Sequence, residues 1–253
     1  MAATDRLSNE QAFHDHQARQ RALYLADRPD ELLFEDAAYL NHETWIAPAF
    51  EMLGDLRDRR ALDFGCGHGM AAIVMARRGA RVAALDLSGD YLAEASRRAR
   101  ANGVSLDLLQ AEGERLPFAD GSFDRIWGNA ILHHLDAAVA GRELYRVLLP
   151  GGIAVLSEPW GGNPLLNWAR QTVAYAGKAR TADERPLRRA DLKHLRSIFP
   201  TVKVQGFQLF SMARRVLGPG RLVAGLDRCD RVLLRLLPPL QHLCRYVVVS
   251  LYR

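Results

Sequence analysis

Short apolar runs alternate along this chain with longer segments of helical periodicity. Apolar runs of four to nine residues are typical of buried strands, and the amphipathic segments between them are typical of helices. Strands that alternate with helices in this way predict βαβ units and a parallel sheet. The predicted strands are 61–64, 80–86, 104–110, 125–128, 153–157, 202–210 and 246–252, and we expect the last one to pair antiparallel beside the sixth.

Three regions lie outside this alternation. Residues 1–54 are predicted to form an N-terminal helical cap on a domain that spans 55–253, with a helix from Asp30 to Leu40 and an N-cap at Asn41. Two apolar insertions, near 159–187 and 212–243, have no place in the sheet pattern. We expect these insertions and the N-terminal helices to cover the crevice at the carboxyl ends of the strands as a lid.

The turn after the first strand is the most informative stretch. It reads Asp-Phe-Gly-Cys-Gly-His-Gly over residues 63–69 and leads directly into the apolar helical run that starts at Met70. A dinucleotide loop of the form G-x-G-x-x-G requires glycine or alanine at position 70, and it does not favour an acid such as Asp63 beside a pyrophosphate. A nicotinamide oxidoreductase is therefore disfavoured, and a ligand with a positive charge is favoured.

This turn resembles the first motif, acidic-x-Gly-x-Gly-x-Gly, of the class I S-adenosylmethionine-dependent methyltransferases. Residues 112–124 and the turn at 149–152 resemble later motifs of the same family, and the resemblance covers about residues 55–158. It implies a Rossmann-like, doubly wound, mostly parallel α/β sheet of seven strands in the order 3-2-1-4-5-7-6. It also implies S-adenosylmethionine as the cofactor and a small-molecule methyl acceptor, as in the "type 11"-like members.

The expected cofactor site follows the carboxyl ends of the strands. Asp86 ends the second strand 21 residues after Gly65, where a carboxylate accepts from both ribose hydroxyls, with Leu87 under the adenine. By the resemblance, Glu112 meets the adenine amino group, although most relatives carry aspartate there, and Asn129 lies near the methionine end. The complete set of predicted cofactor-binding residues is Asp63, Gly65, Cys66, Gly67, Gly69, Asp86, Leu87, Glu112, Gly113, Glu114, Asn129, Ala130 and His134.

Three further residues are candidates for proton transfer: His133, His134 and Glu158. A histidine that titrates near neutral pH can take a proton from an acceptor hydroxyl, and a carboxylate at the end of the fifth strand can orient it. Two structural roles stay open beside this one, because His134 can instead pack on the following helix and Glu158 can be a solvated acid. No metal ligand set is predicted.

Charge divides the chain into two unequal parts. Residues 1–159 carry 17 basic and 24 acidic side chains, whereas residues 160–253 carry 17 basic and 5 acidic ones. The basic excess is spread along predicted helices, so it indicates either a solvated face or an attraction for an anionic acceptor or an acidic membrane surface. Nucleic acid is disfavoured, since no run of basic residues is interleaved with aromatics. A homodimer stays open.

The sequence also limits where the protein works. The apolar region 232–252 is interrupted by charged residues and prolines, so no membrane span is predicted. Three cysteines without regular spacing and a polar start favour the cytoplasm. The prediction is an S-adenosylmethionine-dependent methyltransferase that acts in small-molecule biosynthesis on a bulky apolar acceptor, with O-methylation favoured. The alternatives are a cofactor-binding scaffold without turnover, or a methyltransferase-like fold with other chemistry.

Overall fold

The computed structural model describes residues 3–172, 185–218 and 220–253. Its seven strands form one sheet in the order β3-β2-β1-β4-β5-β7-β6, as predicted. The strands are β1 Arg60–Phe64, β2 Arg81–Asp86, β3 Asp107–Gln110, β4 Phe123–Asn129, β5 Leu148–Pro159, β6 Thr201–Phe207 and β7 Tyr246–Tyr252. The α-helices are α1 Ala3–Ala26, α2 Asp36–Leu40, α3 Ile46–Glu51, α4 Met70–Arg77, α5 Gly89–Ala101, α6 Ala137–Val147, α7 Pro164–Thr172, α8 Arg189–Ile198, α9 Arg214–Leu217 and α10 Arg221–Leu236.

The central strands are parallel, and β7 runs antiparallel between β5 and β6. Both faces of the sheet are packed, which explains why the central strands are apolar along most of their length rather than alternating. Leu62 and Phe64 of β1 belong to one core, with α6 and α8. Ala61 of β1 belongs to the core on the other face, with α3 and α4.

The order of the strands changes direction at β1. From β1, strands β2 and β3 follow on one side, and β4 and β5 follow on the other. In an open α/β sheet, the reversal leaves a crevice outside the carboxyl ends of these strands, and ligands bind there. Asp63 near the end of β1, Asp86 at the end of β2 and Asn129 at the end of β4 therefore border the same crevice.

The N-terminal region departs from the prediction in one place. The segment from Asp30 to Leu40 is not one helix, because a 3-10 turn at Pro29–Leu32 is separated from α2 by an extended segment. Phe34 in this segment donates its N–H to Asn102 and accepts at its carbonyl from Arg77. These tertiary hydrogen bonds replace helical ones. Asn41 is the C-cap of α2 and not the predicted N-cap, and α3 begins only after Trp45.

The described parts of the two C-terminal insertions contact β6 and the segment before β7. Helix α10 contacts β6 and the 3-10 turn at Pro238–Leu243. The described residues of α7 begin beside the end of that turn, where the Asn163 amide donates to the Leu243 carbonyl at 2.7 Å. Residues 173–184 of the first insertion lie outside the described residues. The lid role of the insertions stays a prediction.

Candidate active site

The three glycines after β1 have different structural roles. All three adopt positive φ angles, of +71° at Gly65, +50° at Gly67 and +80° at Gly69. A Cβ on Gly65 would lie 2.7 Å from the Ile131 side chain, and one on Gly69 would lie 2.8 Å from Cβ of Ala95 on α5. Only at Gly67 would a Cβ meet nothing within 4 Å. Close packing thus requires glycine at the two outer positions, and the middle one leaves open space beside the crevice.

Asp63 is buried beneath this turn. Its carboxylate accepts a hydrogen bond from the Ala72 N–H of α4 at 2.9 Å. Burial raises the pKa of Asp63 to about 7, and the negative charge of Asp86 adds to that rise. Among the described residues, no cationic side chain lowers the pKa of Asp63, and a cationic ligand would do so.

Asp86 holds the glycine loop and the start of α5 together. It accepts from the Gly67 N–H at 2.8 Å and from the Ser88 N–H at 2.9 Å. Burial raises its pKa, and these backbone donors and His14 oppose that rise. A carboxylate has about four acceptor positions, so two remain for hydroxyl donors of a ligand.

The predicted adenine and methionine ends lie on the same cleft. Glu112, Gly113 and Leu87 line one part of it, and Asn129 and Ala130 line another. Gly113 is tightly placed, since a Cβ there would lie 2.8 Å from the Leu135 side chain. Cys66 also lines the cleft, and burial raises the pKa of its thiol well above the usual value.

Helix α1 forms the roof of the cleft, through residues that the sequence analysis did not single out. Leu7, Glu10, His14 and Gln17 line the cleft, and their spacing of three and four residues places them on one helical face. That spacing was the one feature of the sequence that could have identified these residues. The face combines one apolar residue with three polar ones, so it does not have the pattern of a packing face.

Polar contacts hold α1 over the cleft. Arg21 binds Glu94 of α5 through two hydrogen bonds of 2.8 and 3.1 Å. The Ser88 hydroxyl donates to Asp15 at 2.5 Å, and Arg19 pairs with Asp90 at 3.0 Å. These contacts all join α1 to the first two turns of α5 and its N-cap, which places the cleft-lining face of α1 above Asp86.

His134 faces this roof. Its ring lies 5.6 Å from that of His14, and its Nδ1 lies 3.4 Å from Oε1 of Glu10. Burial and the proximity of His134 lower the pKa of His14, so its imidazole is neutral at neutral pH. The cleft thus contains a cluster of groups that can accept or donate protons, two of which come from α1.

His133 and Glu158 lie outside the cleft lining and are buried against each other. Glu158 accepts the N–H groups of Ile131 and Leu132 at 3.1 and 2.8 Å, and its Oε2 lies 2.7 Å from Nδ1 of His133. The predicted orienting role of Glu158 toward a histidine corresponds to this contact. What the pair does in the structure is fix the turn that follows β4, which directs the next side chain, His134, into the cleft.

Two other predicted residues also lie beside the cleft rather than on it. Glu114 is 2.5 Å from the Arg6 guanidinium and accepts from the Asp136 N–H at 2.8 Å, so it links α1 to the start of α6. Gly69 is the N-cap of α4. Both residues shape the surroundings of the cleft, and neither belongs to its lining.

The cleft has a volume of about 280 Å³, close to the lower end of the range for small-ligand sites. Three buried side-chain atoms that face it, Glu10 Oε1, His68 Nδ1 and His134 Nδ1, have no hydrogen-bond partner among the described residues. Together with two acids of raised pKa and the open space at Gly67, these atoms fit a ligand that carries a positive charge and several donors. The residues present are therefore suited to the expected cofactor.

Comparisons with known proteins match the part of the chain that contains the cleft floor. The family described as "Methyltransferase domain" matches residues 62–156, which include the glycine loop and β4. A malonyl-(acyl-carrier protein) O-methyltransferase from Enterobacter lignolyticus is 41% identical over 98 residues, 38% of this chain and 38% of that protein. A demethylmenaquinone methyltransferase from Thermus thermophilus is 36% identical over 117 residues, 45% of this chain and 53% of that protein.

Among solved structures, geranyl diphosphate C-methyltransferase from Streptomyces coelicolor A3(2) has a TM-score of 0.58 with 23% identity, over 84% of this chain and 80% of that one. At this identity, the likeness concerns the fold alone. The chain spans only about two fifths to half the length of the two curated relatives. The matched part contains the cleft floor, and helix α1 lies outside the family match.

Proposed function

We propose, on the premise that this chain belongs to the class I S-adenosylmethionine-dependent methyltransferases, that it binds S-adenosylmethionine in the cleft and methylates a small molecule. The observation that carries the proposal is the pair of buried acids, Asp63 and Asp86, which lie near the ends of neighbouring strands beside the glycine loop and form no ion pair with a described residue. A cofactor with a sulfonium and an ammonium group supplies the missing positive charge.

The residues that would hold the cofactor follow from their positions. Asp86, with two acceptor positions left, would bind the ribose hydroxyls, and Glu112 and Gly113 would bind the adenine end. Asp63 and the glycine loop would meet the methionine end, close to Asn129. When bound, S-adenosylmethionine supplies a methyl group that is already activated by the sulfonium.

The chain therefore has three tasks. The cleft positions the acceptor in line with the bond that breaks, and α1 excludes water from above. His134 accepts a proton from an acceptor hydroxyl, assisted by Glu10, whose Oε1 lies 3.4 Å from its Nδ1. In this proposal, His133 and Glu158 position His134 and do not touch the acceptor.

For the acceptor, we propose a bulky apolar molecule that is methylated at oxygen. Leu7, Ile131 and Leu135 give the cleft an apolar side, and the neutral imidazole of His14 lies near the candidate base. One of the two curated relatives is an O-methyltransferase, and the other is a demethylmenaquinone methyltransferase. A neutral amine acceptor already has a free lone pair, so it would have less need of the histidine cluster as a base.

Titration calorimetry with S-adenosylmethionine and S-adenosylhomocysteine tests the cofactor assignment. We expect calorimetry to show binding of both ligands at one site per chain. In a crystal with S-adenosylhomocysteine, we expect Asp86 and the glycine loop to contact the ligand. Absence of binding of both ligands would contradict the proposal. Binding without formation of S-adenosylhomocysteine on a broad panel of hydroxylated apolar acceptors would favour a scaffold without turnover.

A further inference from the structure

Helix α10 carries an apolar face that the described part of the chain leaves uncovered. Leu222, Val232 and Leu236 are 66, 55 and 71% exposed. With Gly225 and Cys229 they recur at intervals of three and four residues, which places them in one line along the helix. About four turns of helix therefore present a continuous apolar stripe to solvent.

The opposite side of α10 is anchored to the domain. Val223 and Asp230 are buried. The Asp230 carboxylate accepts from the N–H groups of Leu209, Phe210 and Ser211 at 2.9 to 3.0 Å. This carboxylate ties the helix to the segment after β6, so the outward direction of the apolar stripe is fixed.

Arginines follow one edge of the stripe. Arg221, Arg228 and Arg235 are exposed and recur every seven residues, each one position before a residue of the stripe. The acids of α10 do not offset them, since Asp230 is buried and Asp227 pairs with Arg231. The exposed surface of α10 is therefore apolar along its length and positively charged along its edge.

We propose that this face of α10 docks on the surface of an anionic lipid bilayer. A helix with an apolar stripe and a cationic edge lies in the interface, with its apolar side chains in the acyl boundary and its arginines at anionic headgroups. Docking of a second copy of this chain on the same face is disfavoured, because an isologous contact would bring arginine edges together without acids between them. Among the described residues, no helix is long and apolar enough to cross a bilayer.

The C-terminal part of the chain, to which α10 belongs, has a charge that matches the same partner. Residues 160–253 carry 17 basic and 5 acidic side chains. Val216 and Leu217 of α9 and Leu237 after α10 are also more than half exposed. An anionic surface would cover apolar area and neutralise charge together, which neither a neutral apolar partner nor a free anion would do. The inference is independent of the reaction proposed above.

Cys229 offers a direct probe, since it is exposed in the middle of the stripe and Cys66 and Cys244 are buried. We would label Cys229 of the full chain with an environment-sensitive fluorophore and add vesicles of phosphatidylcholine with 30% phosphatidylglycerol. The expected result is a blue shift with these vesicles, weaker in high salt and almost absent with pure phosphatidylcholine. An unchanged spectrum with the anionic vesicles overturns the proposal.

Variants separate the contributions, with sedimentation on the same vesicles as the readout. Leu236→Asp should abolish binding, and Leu33→Asp, at a 60% exposed site outside this face, should not. Arg228→Gln should lower the partition coefficient about fivefold, and the triple change of Arg221, Arg228 and Arg235 to Gln about a hundredfold. The arginine variants keep the test valid if Leu236→Asp unfolds. A blue shift without vesicles that grows with protein concentration would show self-association and overturn the proposal.

Discussion

Oε1 of Glu10 on α1 lies 3.4 Å from Nδ1 of His134, across the cleft. Both atoms are buried, and neither makes a hydrogen bond with a described residue. Buried polar atoms are almost always paired in folded proteins, so two facing unpaired atoms mark a place where a ligand or water completes the arrangement. The helix that covers the cleft thus contributes polar atoms to its lining.

His134→Ala should slow methyl transfer by about 10²- to 10⁴-fold, the usual contribution of a general base, and change cofactor affinity little. The readout is S-adenosylhomocysteine formation on a panel of apolar hydroxylated acceptors, beside calorimetric affinity for the cofactor. His16→Ala is the matched control, because His16 is exposed on α1. A fully active His134→Ala would remove this residue from proton transfer.

Asp86→Ala should weaken binding of S-adenosylhomocysteine by about 1–3 kcal/mol, since a charged hydrogen-bond acceptor is lost. Calorimetry measures the change directly. Asp27→Ala is the control, because Asp27 is exposed just after the end of α1. Unchanged affinity in Asp86→Ala would contradict the ribose assignment.

Cofactor affinity should rise with pH near neutrality because of Asp63. Its pKa of about 7 means that about one tenth of the carboxyl is ionised at pH 6 and about nine tenths at pH 8. A cationic ligand binds the ionised form, so its affinity should increase by up to roughly tenfold over this range, before the ligand ammonium itself deprotonates. Asp63→Asn should remove this rise, and a rise that persists in the variant would assign the titration to another group.

The sheet could be predicted because its signals are local and strong. β7 and α4 begin and end where the apolar pattern placed them, and Asp86 lies at the cleft as its distance from Gly65 indicated. The segment around Phe34 could not be predicted, because hydrogen bonds to Arg77 and Asn102, 43 and 68 residues away, replace its helical pairing. Local propensity carries no information about such partners.

Some residues of the candidate site could likewise be predicted from the sequence, and others could not. Residues at strand ends follow from topology, but the different partners of the two adjacent histidines do not, since their rings lie only 4.2 Å apart in one short 3-10 turn. His134 faces the cleft, whereas His133 faces Glu158 in the interior. The residues of α1 at the cleft were missed, because they serve a ligand and not a packing face.

Glu158→Ala should lower the free energy of unfolding by about 3–5 kcal/mol, because it removes the buried partner of His133 and of the N–H groups of Ile131 and Leu132. Chemical denaturation at neutral pH measures this change. Glu51→Ala, at an exposed site with a 3.4 Å ion pair to Arg78, should change stability by less than about 0.5 kcal/mol. A stable Glu158→Ala variant would show that this carboxylate is not needed to hold the turn.

Two substitutions in the glycine loop can separate an effect on folding from an effect on cofactor binding. Gly69→Ala should destabilise the fold by more than the roughly 1–2 kcal/mol of left-handed backbone strain, because its Cβ would also lie 2.8 Å from Cβ of Ala95. Gly67→Ala has the same kind of strain but open space, so its loss of stability should be close to that strain alone. Because Gly67 lines the cleft and Gly69 does not, Gly67→Ala should cost more cofactor affinity per unit of stability lost. Paired denaturation and calorimetry on the two variants measure both quantities. Equal affinity losses per unit of stability lost would mean that the middle glycine does not face the cofactor.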